Sequence, residues 1–258
     1  MDYNPKTPDE FADWRDNLVA SQGLDDNLLK DSLKHHLRLG KSGRFYMNEF
    51  CGFPVLQTGD DLLQLQNIYW NYKPSFVIET GIARGGSIIF HAYNLALSYL
   101  LGLTPIKPNV IGIDILLHQY NRHAIDSSPF SQFITLIEHS SVDHLVLSQL
   151  NFLFPNILDS NKVIILDSNH VEEHVYNELV LYSQICTSGD YIVVFDTIVE
   201  YLDALDPSSY KDRPWGRGSS PLTAVNRFLK LCPDFYRVEF IDNKLLASGA
   251  INGWLRKK

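Results

Sequence analysis

Apolar residues in this chain occur in two kinds of stretch. Short, nearly unbroken runs at residues 76–79, 110–115, 133–138, 162–167 and 191–197 are rich in Val, Ile and Phe, as expected of strands buried on both faces. Between them lie longer stretches in which apolar residues return every three or four positions, the spacing of helices with one buried side. Regular alternation of the two predicts βαβ units, and so an α/β fold with a Rossmann-like, doubly wound, mostly parallel sheet. The stretch 87–103 is the most apolar helix. It falls short of the ~20 uninterrupted residues that span a bilayer, and His91, Tyr93 and Asn94 break it, so it reads as a core helix.

The ends of the chain follow other patterns. Residues 1–45 predict an N-terminal helical appendage, and residues 46–258 the α/β domain. Thr7 with Glu10 three positions later forms a capping box. Phe11, Trp14 and Leu18, then Leu28, Leu29, Leu33 and Leu37, give each helix one apolar face to set against the main domain or a second subunit; His35 and His36 are placed in solvent. An aromatic segment, 44–57, ends in a Gly-Phe-Pro turn. The helix after it carries a stripe of Leu62, Leu65, Ile68 and Tyr69, is capped by Asp60 or Asp61, and stops at Lys73-Pro74. Near the other end, residues 198–220 form a long connection of the kind used for lids and substrate loops. Ser220 and Pro221 open a helix, and residues 236–251 predict a C-terminal antiparallel hairpin turning at Asp242-Asn243.

Charge and cysteine usage narrow the function classes. A formal net charge of −8 without a basic stripe excludes the phosphate neutralisation on which non-specific nucleic-acid binding depends. Cys51, Cys186 and Cys232 are far apart and form no CxxC pair, which supports neither a zinc knuckle nor a disulfide framework. The polar, acidic start of the chain lacks the layout of a signal peptide, so the expected location is the cytoplasm.

The chemistry gathers at strand ends. The first long run stops in Glu79-Thr80-Gly81, passes through Arg84-Gly85-Gly86-Ser87 and opens a helix, the place where parallel α/β sheets bind nucleotide-like ligands. The spacing is not G-x-G-x-x-G, and a carboxylate stands where a pyrophosphate would be repelled. Glu79 suits a cationic ligand such as S-adenosylmethionine; the alternative is that Gly81, Gly85 and Gly86 only shape a tight turn. Asp114 ends the next run, at the position of a ribose-binding acid. His118, Arg122, His123 and Asp126 follow it in a loop or short helix that could overlook the same cleft. Asp167 and Asp196 close two later runs. Carboxylates at neighbouring strand tips suit Mg²⁺, or else cap the helices that follow. His170, expected on the first turn of the next helix, could take a proton from a hydroxyl.

Several ordered motifs also resemble the cephalosporin hydroxylase and rhamnosyl O-methyltransferase family. They are F-C-G-F-P-V-L at 50–56, I-E-T-G-x-x-x-G-G-S at 78–87, G-I-D at 112–114, L-D-S-N-H at 166–170, D-T at 196–197, G-x-G-x-x-P-L-x-A-V-x-x-F-L at 216–229 and G-W-L-R at 253–256. The resemblance implies a class I S-adenosylmethionine-dependent methyltransferase fold and O-methylation of a sugar hydroxyl on a small-molecule or glycan acceptor. It implies that Glu79 and Gly81, with Gly85, Ser87 and Asp167, hold the cofactor's methionine end. Asp114 would hold the ribose, and Ser140 and Ser141 would flank the adenine. Asp167 and Asp196 would bind Mg²⁺, with His170 as general base beside Asp167. Phe195 stands where relatives carry an acid. That departure leaves open a degraded cofactor-binding subunit; the family name leaves open a hydroxylase, although no H-x-D iron triad is present, and the missing G-x-G-x-x-G disfavours a nicotinamide enzyme. A homo-oligomer is a further expectation.

Overall fold

The computed structural model describes residues 5–258; the first four residues of the predicted appendage lie outside the described residues. Two helices come first, α1 (Pro8–Gly23) and α2 (Asp26–Lys41). The Thr7–Glu10 capping box forms as expected, and Asp25 caps α2 through the amides of Asn27 and Leu28. The aromatic segment is a small antiparallel pair, β1 (Asn48–Phe50) and β2 (Phe53–Val55). Next come α3 (Gly59–Tyr72), β3 (Phe76–Thr80), α4 (Gly86–Leu100), β4 (Asn109–Asp114), α5 (Gln119–Asp126), β5 (Ile134–Glu138) and α6 (Leu145–Leu153). The second half holds β6 (Lys162–Leu166), α7 (Glu172–Ser183), β7 (Tyr191–Val194), α8 (Val199–Leu205), α9 (Pro221–Leu231), β8 (Phe235–Arg237), α10 (Glu239–Leu245) and β9 (Trp254–Lys257).

Among the described residues, seven strands form one sheet in the order β5-β4-β3-β6-β7-β9-β8. β5 through β7 are parallel neighbours, and β9 pairs antiparallel with both β7 and β8. The doubly wound parallel sheet and the antiparallel C-terminal pair are therefore both present. Side-chain alternation sorts the apolar runs between two cores. Phe76, Ile78, Ile164, Leu166, Ile192 and Val194 face one side, packed with Leu179 and Tyr182 of α7 and Phe228 of α9. Val77, Val163, Ile165 and Val193 face the other, packed with Leu65, Ile68 and Tyr69 of α3 and Ile88, Ile89 and Ala92 of α4. No helix among the described residues is long and apolar enough to cross a membrane.

Local expectations needed correction in several places. Thr58, not Asp60 or Asp61, caps α3. Asp61 is instead fully buried and accepts from the Ser248 hydroxyl at 2.5 Å and the Gly249 amide at 3.0 Å, tying α3 to the C-terminal loop. The long connection 198–220 begins with α8 rather than running as open loop. Asp242 and Asn243 lie within α10, so the antiparallel pair is joined by a helix and loop and not by a turn. In α1 the buried residue is Val19, whereas Phe11, placed on the covered face from its spacing, is 41% exposed.

Asp242 yields a pH prediction. Its Oδ1 accepts from the Asn252 amide at 2.6 Å while Oδ2 has no hydrogen-bond partner. Burial pushes this carboxyl up to about 7. A folded-state value above the unfolded one means that folding favours the protonated acid, so stability is lost as pH rises from about 4 to about 7. Asp242→Asn is expected to remove this dependence and to be more stable than the parent at pH 8 by about 1–2 kcal/mol, after discounting for solvent screening. Urea midpoints at pH 5 and pH 8 check it: an equal pH slope in both proteins would refute it.

Candidate active site

The carboxyl ends of β3, β6 and β7 open into a cavity of about 640 Å³. The switch point of the sheet lies between β3 and β6: the chain leaves β3 for β4 on one side and β6 for β7 on the other, which opens a crevice between them. Glu79, the fourth residue of β3 and not its end, lines the cavity while only 1% exposed. Gly81, Gly85 and Ser87 line it with Asp167, His170 and Asp196.

The turn after β3 is shaped by chain-on-chain contact. Gly81 has φ +84°, and a Cβ there would lie 2.3 Å from the Asp167 carbonyl oxygen. A Cβ on Gly86 would lie 2.2 Å from the Pro54 carbonyl oxygen, because β2 sits across the start of α4. The turn and its packing thus require glycine at both positions. Gly81 thereby also sets the approach of β3 to the Asp167 loop.

Asp167 follows β6 directly, and its amide donates to the Thr80 carbonyl at 3.0 Å. Asp196 follows β7 by two residues with φ +54°, a left-handed conformation that Asp tolerates better than most residues. His170 precedes α7 instead of lying on its first turn; Val171 is the N-cap. Its Nε2 is 3.0 Å from Asp196 Oδ2 and 3.9 Å from Asp167 Oδ1, and Trp215 meets the ring edge-on at 5.0 Å. Burial pulls the imidazole down, but the charge and hydrogen bond of Asp196, with Asp167 behind it, outweigh that and hold it at about 9. Burial and the neighbouring Asp196 charge push Asp167 well up. For Asp196 the same burial is overcome by His170, which brings it below its ordinary value.

One ligand atom each from Asp167, His170 and Asp196 lies within 4.8 Å of the others. The two carboxylates fit a divalent cation such as Mg²⁺, with water or substrate oxygens completing its shell, and the imidazole stands beside them. Phe195 adds nothing to that set: it is 4% exposed and packs against Trp254 at 6.2 Å.

The remaining predicted residues are not in the cavity wall. Asp114 turns its oxygens to the amides of Ile82, at 2.9 Å, and Leu116, at 3.1 Å, bracing the outer side of the glycine turn. Ser141 is bonded to His174 at 3.1 Å, with Ser140 beside it. The α5 residues His118, Arg122, His123 and Asp126 do not line the cavity either.

Other contributors were missed from sequence. Gln57 donates to Asp167 at 3.5 Å. His36, expected in solvent, lines the cavity from α2, packs at a tilt against Phe45 at 4.6 Å and is pushed down by burial. Tyr210 and Arg213 reach the cavity from the connection 198–220. The long loop was the one sequence signal for the last two; none marked Gln57 or His36.

The chain matches the family described as Rhamnosyl O-methyltransferase/CmcI over residues 43–258. It is 27% identical over 231 residues to a rhamnosyl O-methyltransferase of Mycobacterium leprae, covering 88% of this chain and 92% of the relative. A Mycobacterium tuberculosis rhamnosyl O-methyltransferase is 28% identical over 209 residues, 80% of this chain and 76% of the relative. A CmcI structure with SAH matches with a TM-score of 0.55 at 21% identity, over 83% of this chain and 84% of that one. Another CmcI structure, with Mg and SAM, matches with a TM-score of 0.54 at 18% identity, over 83% and 77%. At these identities the structural matches speak for the fold.

Proposed function

The chain belongs to the Rhamnosyl O-methyltransferase/CmcI family, and from that premise we propose that it is an S-adenosylmethionine-dependent, Mg²⁺-assisted O-methyltransferase acting on a sugar hydroxyl in polysaccharide, glycolipid or natural-product tailoring. The observation that carries this reading is the meeting of Glu79, Asp167, His170 and Asp196 in one cavity at the carboxyl ends of three neighbouring parallel strands. Glu79 fits the cationic end of the cofactor because it is a carboxylate in the cavity wall that is only 1% exposed, and a buried anion favours a positive partner.

The sulfonium of the bound cofactor supplies an electrophilic methyl group. Asp167 and Asp196 would hold Mg²⁺, which increases the acidity of an acceptor hydroxyl. Mg²⁺ held there would offset the carboxylate charge that keeps the imidazole at about 9, and His170 would then be able to take the hydroxyl proton at Nε2, the atom now directed at Asp196. The acceptor oxygen would then bond to the methyl carbon as the sulfur–methyl bond broke, giving a methyl ether and S-adenosylhomocysteine with the proton left on His170. Gly81 and Gln57 fix Asp167, while α2 and Tyr210 narrow the acceptor side and exclude water.

The site supports methyl transfer over hydroxylation. One histidine and two carboxylates differ from the two-histidine, one-carboxylate set of non-haem iron oxygenases. A second reading, a degraded cofactor-binding subunit, has support in the apolar burial of Phe195. We also propose the division at residue 45 as a functional one, since the family match begins at residue 43 and α2 before it covers the acceptor side. The free thiols Cys51, Cys186 and Cys232 suit a reducing cytoplasm, and exposed Tyr46 and Met47 supply an apolar patch for self-association.

Calorimetry with S-adenosylmethionine, S-adenosylhomocysteine and NAD, with and without Mg²⁺, followed by methyl transfer to a panel of hexose and deoxysugar acceptors, tests the reading. Cofactor binding with Mg²⁺-dependent turnover is expected. Binding without turnover on any acceptor favours the degraded subunit, and binding of NAD alone overturns the assignment.

A further inference from the structure

His91 breaks the most apolar helix of the chain and is fully buried there, a costly position for an imidazole unless both nitrogens are engaged. Its place follows from strand parity. Glu79 lies two residues after Val77, so its side chain emerges on the face of β3 covered by α3 and α4. There His91 Nε2 lies 3.2 Å from Glu79 Oε2, in ion-pair range though not aligned as a hydrogen bond, and His91 Nδ1 meets the Tyr69 hydroxyl of α3 at 2.8 Å. Tyr69, His91 and Glu79 are 2%, 0% and 1% exposed, so water does not compete for these contacts.

One proton arrangement serves all three groups. Burial and the Glu79 charge push the Tyr69 phenol well above its ordinary range, so it keeps its hydrogen and donates it to Nδ1. The ring hydrogen then sits on Nε2, on the side of the carboxylate. We propose that Tyr69 and His91 are positioning residues for the cofactor's amino-acid end: they hold Glu79 Oε2 inside the protein and leave Oε1 for an ammonium group in the cavity. This rests on the reading of the chain as an S-adenosylmethionine enzyme.

Such a role has a signature that mere packing lacks. It acts on ligands that carry the ammonium and is silent toward those that do not. The probes are S-adenosylhomocysteine and 5′-methylthioadenosine, which has no amino-acid end, titrated into the full-length protein and its variants. His91→Leu is expected to weaken S-adenosylhomocysteine about tenfold, the loss of the one polar contact that holds Glu79 Oε2, and to leave 5′-methylthioadenosine unchanged. His91→Gln, which can return an N–H near the position of Nε2, is expected to recover most of the loss. Tyr69→Phe keeps the packing, releases the tautomer and is expected to show a smaller loss of the same selectivity; it carries the comparison if His91→Leu does not fold. In a Glu79→Gln background, His91→Leu is expected to have no further effect. Equal weakening of both ligands, or none in His91→Leu, overturns the positioning role while the methyltransferase reading stands. If the wild-type protein binds no S-adenosylhomocysteine, that reading fails and takes the proposal with it.

Discussion

His170→Ala is expected to lower kcat by about 10²–10⁴-fold, the range for removal of a positioned general base, while the affinity for S-adenosylhomocysteine changes little. The separation of effects follows from geometry. His170 is held by Asp196, on the side of the cavity proposed for the acceptor, whereas the cofactor's amino-acid end is proposed to lie at Glu79 and the Gly81 turn. Loss of the imidazole therefore removes a proton acceptor without opening the cofactor site. It also leaves Asp196 without its nearest cation, so metal affinity is expected to be kept or raised. Single-turnover methyl transfer, combined with S-adenosylhomocysteine titration, checks this. Unchanged turnover would remove His170 from the chemistry.

The second large effect is on the framework. Gly81→Ala is expected to destabilise the fold by about 2–4 kcal/mol, through the left-handed backbone and a clash with the neighbouring strand's loop. A methyl group at Gly81 would meet the Asp167 carbonyl oxygen at 2.3 Å and the Ser168 Cα at 2.7 Å. Both are backbone atoms, so no side-chain rotation relieves the contact. The β6 loop must move away from β3, carrying Asp167 from His170 and Asp196. Activity is thus expected to fall even at temperatures where the variant remains folded. Denaturant midpoints and residual activity measure the two consequences separately; a variant as stable and as active as the parent would contradict the packing described here.

Strand runs and helix spacing were legible because burial on both faces of a parallel sheet leaves unbroken Val and Ile runs, and a pleat of period two then decides which core each residue joins. The same regularity made Glu79, Asp167 and Asp196 legible, since strand order carries them to one edge whatever the loops do. Ser220 with Pro221 and Thr7 with Glu10 were readable for a different reason: caps are local, and their partners lie within one turn.

Contacts that depend on distant segments were not readable. His36 looks like a surface residue of an amphipathic helix until α2 is laid against α8, where Leu33 joins Ile198, Leu202 and Ile251 in a small core. Asp61 looks like a helix cap until the C-terminal loop brings Ser248 and the Gly249 amide to it. Asp114 lies at a ribose-binding position in sequence, and only the fold shows that its oxygens also accept from the amides of Ile82 and Leu116. Asp242 and Asn243 read as a turn because local propensity cannot see that the chain needs a helix to cross between β8 and β9.

The order of apolar and polar residues by itself determined the layered α/β sheet and which acids stand at its active edge, because periodicity and burial act residue by residue along each element. Tertiary structure alone decided how those acids are paired: His170 with Asp196, Gln57 with Asp167, and the buried Tyr69–His91–Glu79 chain. Such pairings join positions far apart in sequence, and they exist only once the packing of helix on sheet has fixed the distances between them.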